Sequence, residues 1–261
     1  MGVFTELSDA DRMSIASAYG MNGLTSVIGI ANGDTETTYL FRTADGEFIV
    51  TLFENGAEPL DLEQAFETMD NLYAHGVPCP KPIRTLGGDA TSRAADRLVA
   101  VVGFLPGSPA KNANLEQCEG LGRVMAQIHT SLARKTDRKV SRLPSGSIHG
   151  ALVADNVFFL ANEVCGVINF RLRHEDYLVA EIAEALVNWS LGSDGGIDPV
   201  RGQALLRGYQ TERVLTAAEK DALSGFVLAS AARHYACNGN GDLLAELSMA
   251  AHKSISPDIF L

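Results

Sequence analysis

The chain is poor in the residues that mark exported, metal-stapled or membrane-spanning proteins. It has four cysteines in 261 residues, Cys79, Cys118, Cys165 and Cys237, widely scattered and never in C-x-x-C spacing. That argues against a zinc site and a disulfide framework, and reduced thiols are expected. No apolar run approaches the length that spans a bilayer. The opening Met1-Gly2-Val3-Phe4-Thr5-Glu6 has neither a basic region nor an apolar core. No signal peptide is expected, and the expected location is cytoplasmic. Basic residues are outnumbered, 21 against 32 acidic, for a net formal charge of -11. Such a chain has no electrostatic reason to seek nucleic acid or an anionic membrane. There is no long low-complexity run and the chain is 46% hydrophobic, so an ordered core is expected. The length suits one large domain or two closely packed lobes.

What is present reads as strands first and helices later. Ser8-Asp9-Ala10-Asp11 is a helix N-cap with acids in the first turn, and the helix should stop at Gly20. Leu24 to Ala31, Thr37 to Thr43 and Glu47 to Phe53 read as strands, the last two joined at Asp45-Gly46 as a hairpin. Leu62, Ala65, Phe66, Met69, Leu72 and Tyr73 recur at helical spacing. Pro78, Pro80 and Pro82 then force extended chain. Arg97 to Leu105 is a β-rich run, and Gly103 to Pro109 reads as a hinge. Two lobes are therefore expected, 1–105 rich in strand and 106–261 mainly helical. Leu115 to Leu132 carries one apolar face ending at His129, and a basic loop follows at Arg134 to Lys139. A short hairpin is expected around Ala161-Asn162-Glu163, a helix from Leu178 to Leu191, and a helix opened by the capping box Thr216-Ala217-Ala218-Glu219. A last helix is expected over Asp242 to His252.

The local sequence also carries a resemblance. Thr51-Leu52-Phe53-Glu54, Gly76-Val77-Pro78-Cys79-Pro80, Asp155-Asn156-Val157-Phe158-Phe159, Gly166-Val167-Ile168, Gly208-Tyr209 and Arg213-Val214-Leu215-Thr216 with Glu219 occur in one order along the chain. In that order they resemble the bacterial homoserine kinases of the aminoglycoside phosphotransferase and choline kinase superfamily. The resemblance implies an α+β, bilobal, protein-kinase-like fold. Its N-lobe would be an antiparallel sheet of five strands or similar, and its C-lobe mainly helical.

The departures fall on the residues that carry the family's chemistry. The family's loop looks like His-Ala-Asp-Leu-Phe-Pro-Asp-Asn, and this chain has His149-Gly150-Ala151-Leu152-Val153-Ala154-Asp155-Asn156. The resemblance implies an Asp at 151 to orient the attacking hydroxyl, and an Asp at 169 to hold magnesium. Here they are Ala151 and Asn169. The family's Tyr-Asp further on is Ala180-Glu181, and its aromatic, small run after 170 is Arg171-Leu172-Arg173-His174-Glu175. In the nucleotide loop Glu36 and Tyr39 are kept and two asparagines are lost. Only nineteen residues, Thr130 to Ile148, lie between His129 and His149, where the family has a longer helical stretch.

Magnesium wants hard anionic oxygen, and Asn156 and Asn169 offer only neutral amides. Loss of the hydroxyl-orienting acid forfeits a contribution of about 10²–10⁴-fold. ATP and magnesium are therefore expected only if phosphoryl transfer survives, through rescue by Asp155, Glu175 or Asp176. His149 is a structural residue of the loop in the family, and Asp155 and His149 are the remaining catalytic candidates. If a strand continues past Phe170, alternation puts Arg171 and Arg173 on one side. With His174 they would make a metal-free anion site. The other reading is a surface loop whose arginines pair with Glu175, Asp176 and Glu181. Glu36 and Tyr39 complete the ligand-binding candidates. Three functions follow: a homoserine kinase-like pseudokinase binding an amino-acid-like or anionic ligand or a partner protein, an enzyme of altered, ATP-independent chemistry, or a weak kinase of homoserine or an amino alcohol. A homo-oligomer or a hetero-complex is compatible with the chain.

Overall fold

The structure is a computed structural model that describes residues 5–30, 35–55, 57–110, 112–133, 142–190 and 198–238. The chain divides into two compact units, Met1–Ala74 with Cys79–Leu105, and His75–Pro78 with Pro106–Leu261.

The first unit opens with α1 (Asp9–Ala18), capped as the sequence predicts. Ser8 Oγ accepts the Asp11 amide at 3.2 Å, and the Asp11 carboxylate accepts the Ser8 amide at 3.0 Å. Strands β1 (Ser26–Ile30), β2 (Glu36–Thr43) and β3 (Gly46–Phe53) follow, then α2 (Pro59–Ala74), β4 (Pro82–Ile83), β5 (Thr91–Ala94) and β6 (Arg97–Gly103). They form one six-stranded antiparallel sheet in the order β1-β2-β3-β6-β4, with β5 also paired to β6. The strand the sequence concealed is β5. Its hairpin with β6 turns at Ala95 and Asp96, both at positive φ (48° and 57°). That turn usually advertises itself with Asn-Gly or Gly-Gly, and here it does not. Alternation in β2 buries Thr37, Tyr39 and Phe41, and Val50, Leu52, Val99 and Val101 join them. Ile15, Ala16 and Tyr19 of α1 pack on this face, and the Tyr19 hydroxyl donates to Val99 O at 2.8 Å. Tyr73, in the last turn of α2, is exposed.

The second unit holds β7 (Ser108–Pro109), α3 (Leu115–Ser131), β8 (Ser145–Ile148), β9 (Val157–Leu160), β10 (Glu163–Val167), β11 (His174–Tyr177), α4 (Leu178–Ser190), α5 (Pro199–Glu212) and α6 (Ala217–Asn238). Strands β10, β9 and β7 make one small sheet, and β11 pairs with β8 in another. The expected hairpin is β9–β10, turning at Ala161 with φ 54°. Asn114 caps α3, and Asp198 caps α5 with Pro199 at its first position. The capping box that opens α6 is formed: Glu219 accepts the Thr216 amide at 2.9 Å, and Thr216 Oγ1 accepts the Glu219 amide at 3.2 Å. Helix α4 is apolar nearly all round and buried on almost every residue, so it is the centre of this unit. Helices α3 and α5 cross with their backbones close. A Cβ on Gly122 would collide with Leu205 O, and one on Gly208 with Glu119 O. The expected basic loop at 134–139 and last helix at 242–252 lie outside the described residues. No helix among the described residues is long and apolar enough to cross a membrane.

Candidate functional site

Strand β8 delivers the chain into the turn His149-Gly150-Ala151, which is held from behind by α4. Glu181, 3% exposed, accepts the amides of His149 at 3.2 Å and Gly150 at 2.5 Å. It also accepts His129 Nε2 from α3 at 2.8 Å. In the neutral ring that donates from Nε2, His129 Nδ1 is the acceptor for the Tyr209 hydroxyl at 2.7 Å, and that oxygen accepts Arg213 Nη1 at 3.1 Å. Arg213 Nη2 in turn sits 2.9 Å from Glu219 Oε1 as an ion pair. One donor order thus runs from the head of α6, through α5 and α3, to the loop. Burial alone would push the Glu181 carboxyl up. The His129 hydrogen bond, the electrostatic influence of the His129 and His149 rings and the Gly150 amide overcome it and hold the group below the ordinary value of 4.5. Sequence reading took Glu181 only as a departure from the family's Tyr-Asp or a partner for surface arginines. Its pairing with His129, 52 residues away, is a tertiary contact that no local pattern announces.

His149 is fully buried. Its Nε2 donates to Ile168 O at 2.8 Å, its Nδ1 accepts the Ala151 amide at 3.2 Å, and Phe170 packs edge-on at 4.9 Å. Burial pushes the imidazole below its ordinary 6.5, although Glu181 and the Ile168 carbonyl oppose this. Both ring nitrogens are occupied, so His149 is a structural pin and has no lone pair for a general base. Asn156 closes the loop from the other end. Its Nδ2 donates to Ala151 O at 3.0 Å, and its backbone carbonyl accepts the Ile168 amide at 3.0 Å.

The other candidates lie in front of this frame. Ala151 is half-buried, and Asp155 is exposed on the 3-10 turn Ala154–Asn156. Asn169 is exposed with φ 73° and ψ 42°, a left-handed conformation that Asn tolerates better than most residues. It leads into a second 3-10 turn, Phe170–Leu172. That turn corrects the expected pairing of Arg171 with Arg173, because no strand runs between them to put both on one side. Arg171 is exposed on the turn. Arg173 Nη1 donates to Ser147 Oγ at 3.2 Å, and Ser147 donates in turn to Glu175. Arg173 is therefore engaged as the surface-loop reading expects, with a hydroxyl between it and the acid. His174 starts β11 opposite Ile148 and lies over Gly150. Glu36 and Tyr39 belong to the first unit. The Tyr39 ring is in its core and its hydroxyl donates to Thr5 O at 2.6 Å, so that hydroxyl is already committed. Trp189 is core, as expected, with Nε1 donating to Leu152 O at 2.5 Å. Burial pushes the Cys79 and Cys118 thiols up to about 12 and about 11, which makes both poor nucleophiles at neutral pH.

The positions that the family uses for magnesium, 156 and 169, present two neutral amides, one of which spends its N–H on Ala151 O, and the position that orients the hydroxyl presents a methyl group. That donor set does not suit a hard divalent cation, which wants several oxygens with carboxylates among them.

The comparisons with known proteins agree with this frame. The model of a phosphotransferase enzyme family matches residues 26–142. The homoserine kinase of Granulibacter bethesdensis is 33% identical over an alignment covering 85% of this chain and 83% of the relative. That of Gluconacetobacter diazotrophicus is 31% identical, covering 89% and 86%. The first alignment, over 265 residues, is longer than this chain while covering only part of it, so stretches of the relative have no counterpart here. Among solved structures, an aminoglycoside phosphotransferase from Alicyclobacillus acidocaldarius superposes with a TM-score of 0.67 at 13% identity, covering 91% of this chain and 93% of that one. A microcompartment-associated aminopropanol kinase gives 0.62 at 16%, covering 95% and 91%. Spectinomycin phosphotransferase, solved with ADP and spectinomycin, gives 0.60 at 13%, covering 98% of each. The protein is thus kinase-like, with an aminoglycoside phosphotransferase-like α+β fold, and it belongs to the bacterial homoserine kinase family.

Proposed function

We propose that this chain is a pseudokinase of its family, which binds a small amino-acid-like molecule at the 149–174 loops without efficient phosphoryl transfer. The observation that carries this reading is the contrast at the loop. The hydrogen bonds that shape it are complete, while the two positions expected to be acidic are Ala151 and Asn169. Phosphoryl transfer is mostly positioning and charge neutralisation, and here the charge is missing. The amino-acid-like ligand is argued from the relatives, which are homoserine kinases. An anionic ligand is disfavoured because Arg173 is already engaged with Ser147.

A second reading, a slow ATP-dependent kinase, is favoured by those same relatives. One experiment separates the two. ADP release is followed with ATP, magnesium and L-homoserine, for the wild type and for the Ala151→Asp/Asn169→Asp double variant. Thermal unfolding with ATP, with and without magnesium, accompanies it. The expected result is no turnover above background in the wild type and measurable turnover in the double variant. Wild-type turnover at the usual kinase rate of about 1–100 per second would sink the pseudokinase reading.

A further inference from the structure

The space beside Gly150, the residue before Ala151, is filled by an imidazole. Gly150 has φ 83°, and a Cβ there would lie 2.5 Å from His174 Cε1 and 2.6 Å from its Nδ1. Glycine at 150, where the resemblance gives Ala, is therefore what lets the ring of His174 rest on the turn. The position of the ring follows from the strand pairing of His174 with Ile148, which brings it alongside the residues that follow β8.

The ring's chemistry is set as well. His174 Nδ1 lies 3.1 Å from Leu172 O, an acceptor only, so in the neutral ring Nδ1 carries the proton and Nε2 the lone pair. Asp176 Oδ2 lies 4.0 Å from Nε2, too far to claim it by a hydrogen bond. Half of the side chain is open to solvent. This is the opposite of His149, whose two nitrogens are both engaged in the interior. The Asp176 carboxylate adds negative charge at this edge, which favours a ligand carrying an ammonium over an anion.

From this geometry we propose that His174 Nε2 replaces the missing carboxylate at 151 as the hydrogen-bond acceptor for the side-chain hydroxyl of a bound small hydroxy amino acid. The proposal rests on the reading of the site as an amino-acid binder and does not depend on whether phosphate is transferred. Gly150 and His174 then act as a pair, because a side chain at 150 displaces the acceptor.

The test is binding without nucleotide, by calorimetry, of L-homoserine and of L-2-aminobutyrate, the same molecule without the hydroxyl. A net hydrogen bond of about 1 kcal/mol gives the wild type roughly a fivefold preference for homoserine. In His174→Ala that preference should vanish while aminobutyrate binding is unchanged. Gly150→Ala should behave the same way. Because that variant strains the turn, imidazole ¹⁵N NMR of the wild type provides an independent readout. It should show the Nδ1–H form of His174, with the Nε2 signal moving on homoserine and not on aminobutyrate. Equal binding of both molecules, no binding of either, or a preference that survives in His174→Ala would overturn the proposal. Turnover with ATP bears on the pseudokinase reading alone, since it is absent from this measurement.

Discussion

Behind the loop at 149–151 the polar side chains are buried or half-buried and bonded, whereas the residues in front of it are exposed or half-buried and lack the two expected acids. Glu181, His129, His149, Tyr209 and Arg213 form the first region, and Ala151, Asp155, Asn169 and His174 the second. The two differ in what a substitution costs. A buried carboxylate with three donors cannot be removed without orphaning all three, while an exposed position can lose its acid with little effect on folding. The chain has a bonded frame that shapes the loop and lacks the acids that would work on a substrate.

The sharpest way to break this contrast is Glu181→Ala. It strands the His149 and Gly150 amides and the His129 ring in the interior, and should cost about 3–5 kcal/mol in denaturant unfolding. Asn169→Asp, on the exposed face, should change stability by no more than about 0.5 kcal/mol. If the two variants had similar costs, the distinction between frame and face would be wrong. Next comes Gly208→Ala. Its methyl meets Glu119 O across the α3–α5 crossing, and pushing the helices apart should cost about 1–3 kcal/mol. Because Tyr209 is the neighbouring residue and His129 lies on α3, the variant should also weaken the His129–Tyr209 hydrogen bond, visible in the imidazole ¹⁵N spectrum.

Acid sharpens the contrast in two separate windows. The folded His149 imidazole titrates below its ordinary 6.5, so the unfolded chain takes up this proton first. The stability that depends on His149 is present above pH 6.5 and is lost as pH falls from there through its folded value. Glu181 is also held below its ordinary 4.5, and its contribution is present above pH 4.5 and lost as pH falls through its own folded value. Thermal unfolding between pH 4 and 8 should therefore show a first decline below pH 6.5, absent in a folded His149→Gln variant. A flat profile in the wild type over that window would contradict the buried, neutral imidazole. The smallest effect is expected for His174→Ala, which should shift stability by no more than about 0.5 kcal/mol while abolishing hydroxyl preference.

Local patterns made much of the fold legible. The capping boxes at Ser8 and Thr216, the Asp45-Gly46 turn and the apolar faces of α2 and α3 each rest on contacts within a few residues, so their signals are in the sequence. Strand β5 was hidden because its turn is made by Ala95 and Asp96 at positive φ. Helix α5 was passed over although Asp198-Pro199 is a start signal. The brief pairing of β11 with β8 was beyond reach, since four residues carry too little pattern to find a partner 26–32 positions away. At the site, the absence of acids at 151 and 169 needed only the sequence. The state of the two histidines did not. His149 and His174 are the same residue type near the same loop, and only their surroundings make one a pin and the other an open acceptor.

The sequence by itself determined the family, the order of strand-rich and helical parts, and the loss of two carboxylates, because each of these is a matter of residue identity and short-range spacing. The tertiary structure decided which polar groups meet. It joined Glu181 to His129, carried that chain to Tyr209 and Arg213, broke the expected alternation of Arg171 and Arg173 with a 3-10 turn, and laid His174 on Gly150. Hydrogen bonds between residues distant in sequence depend on how helices and strands pack, and packing is set by the whole core at once.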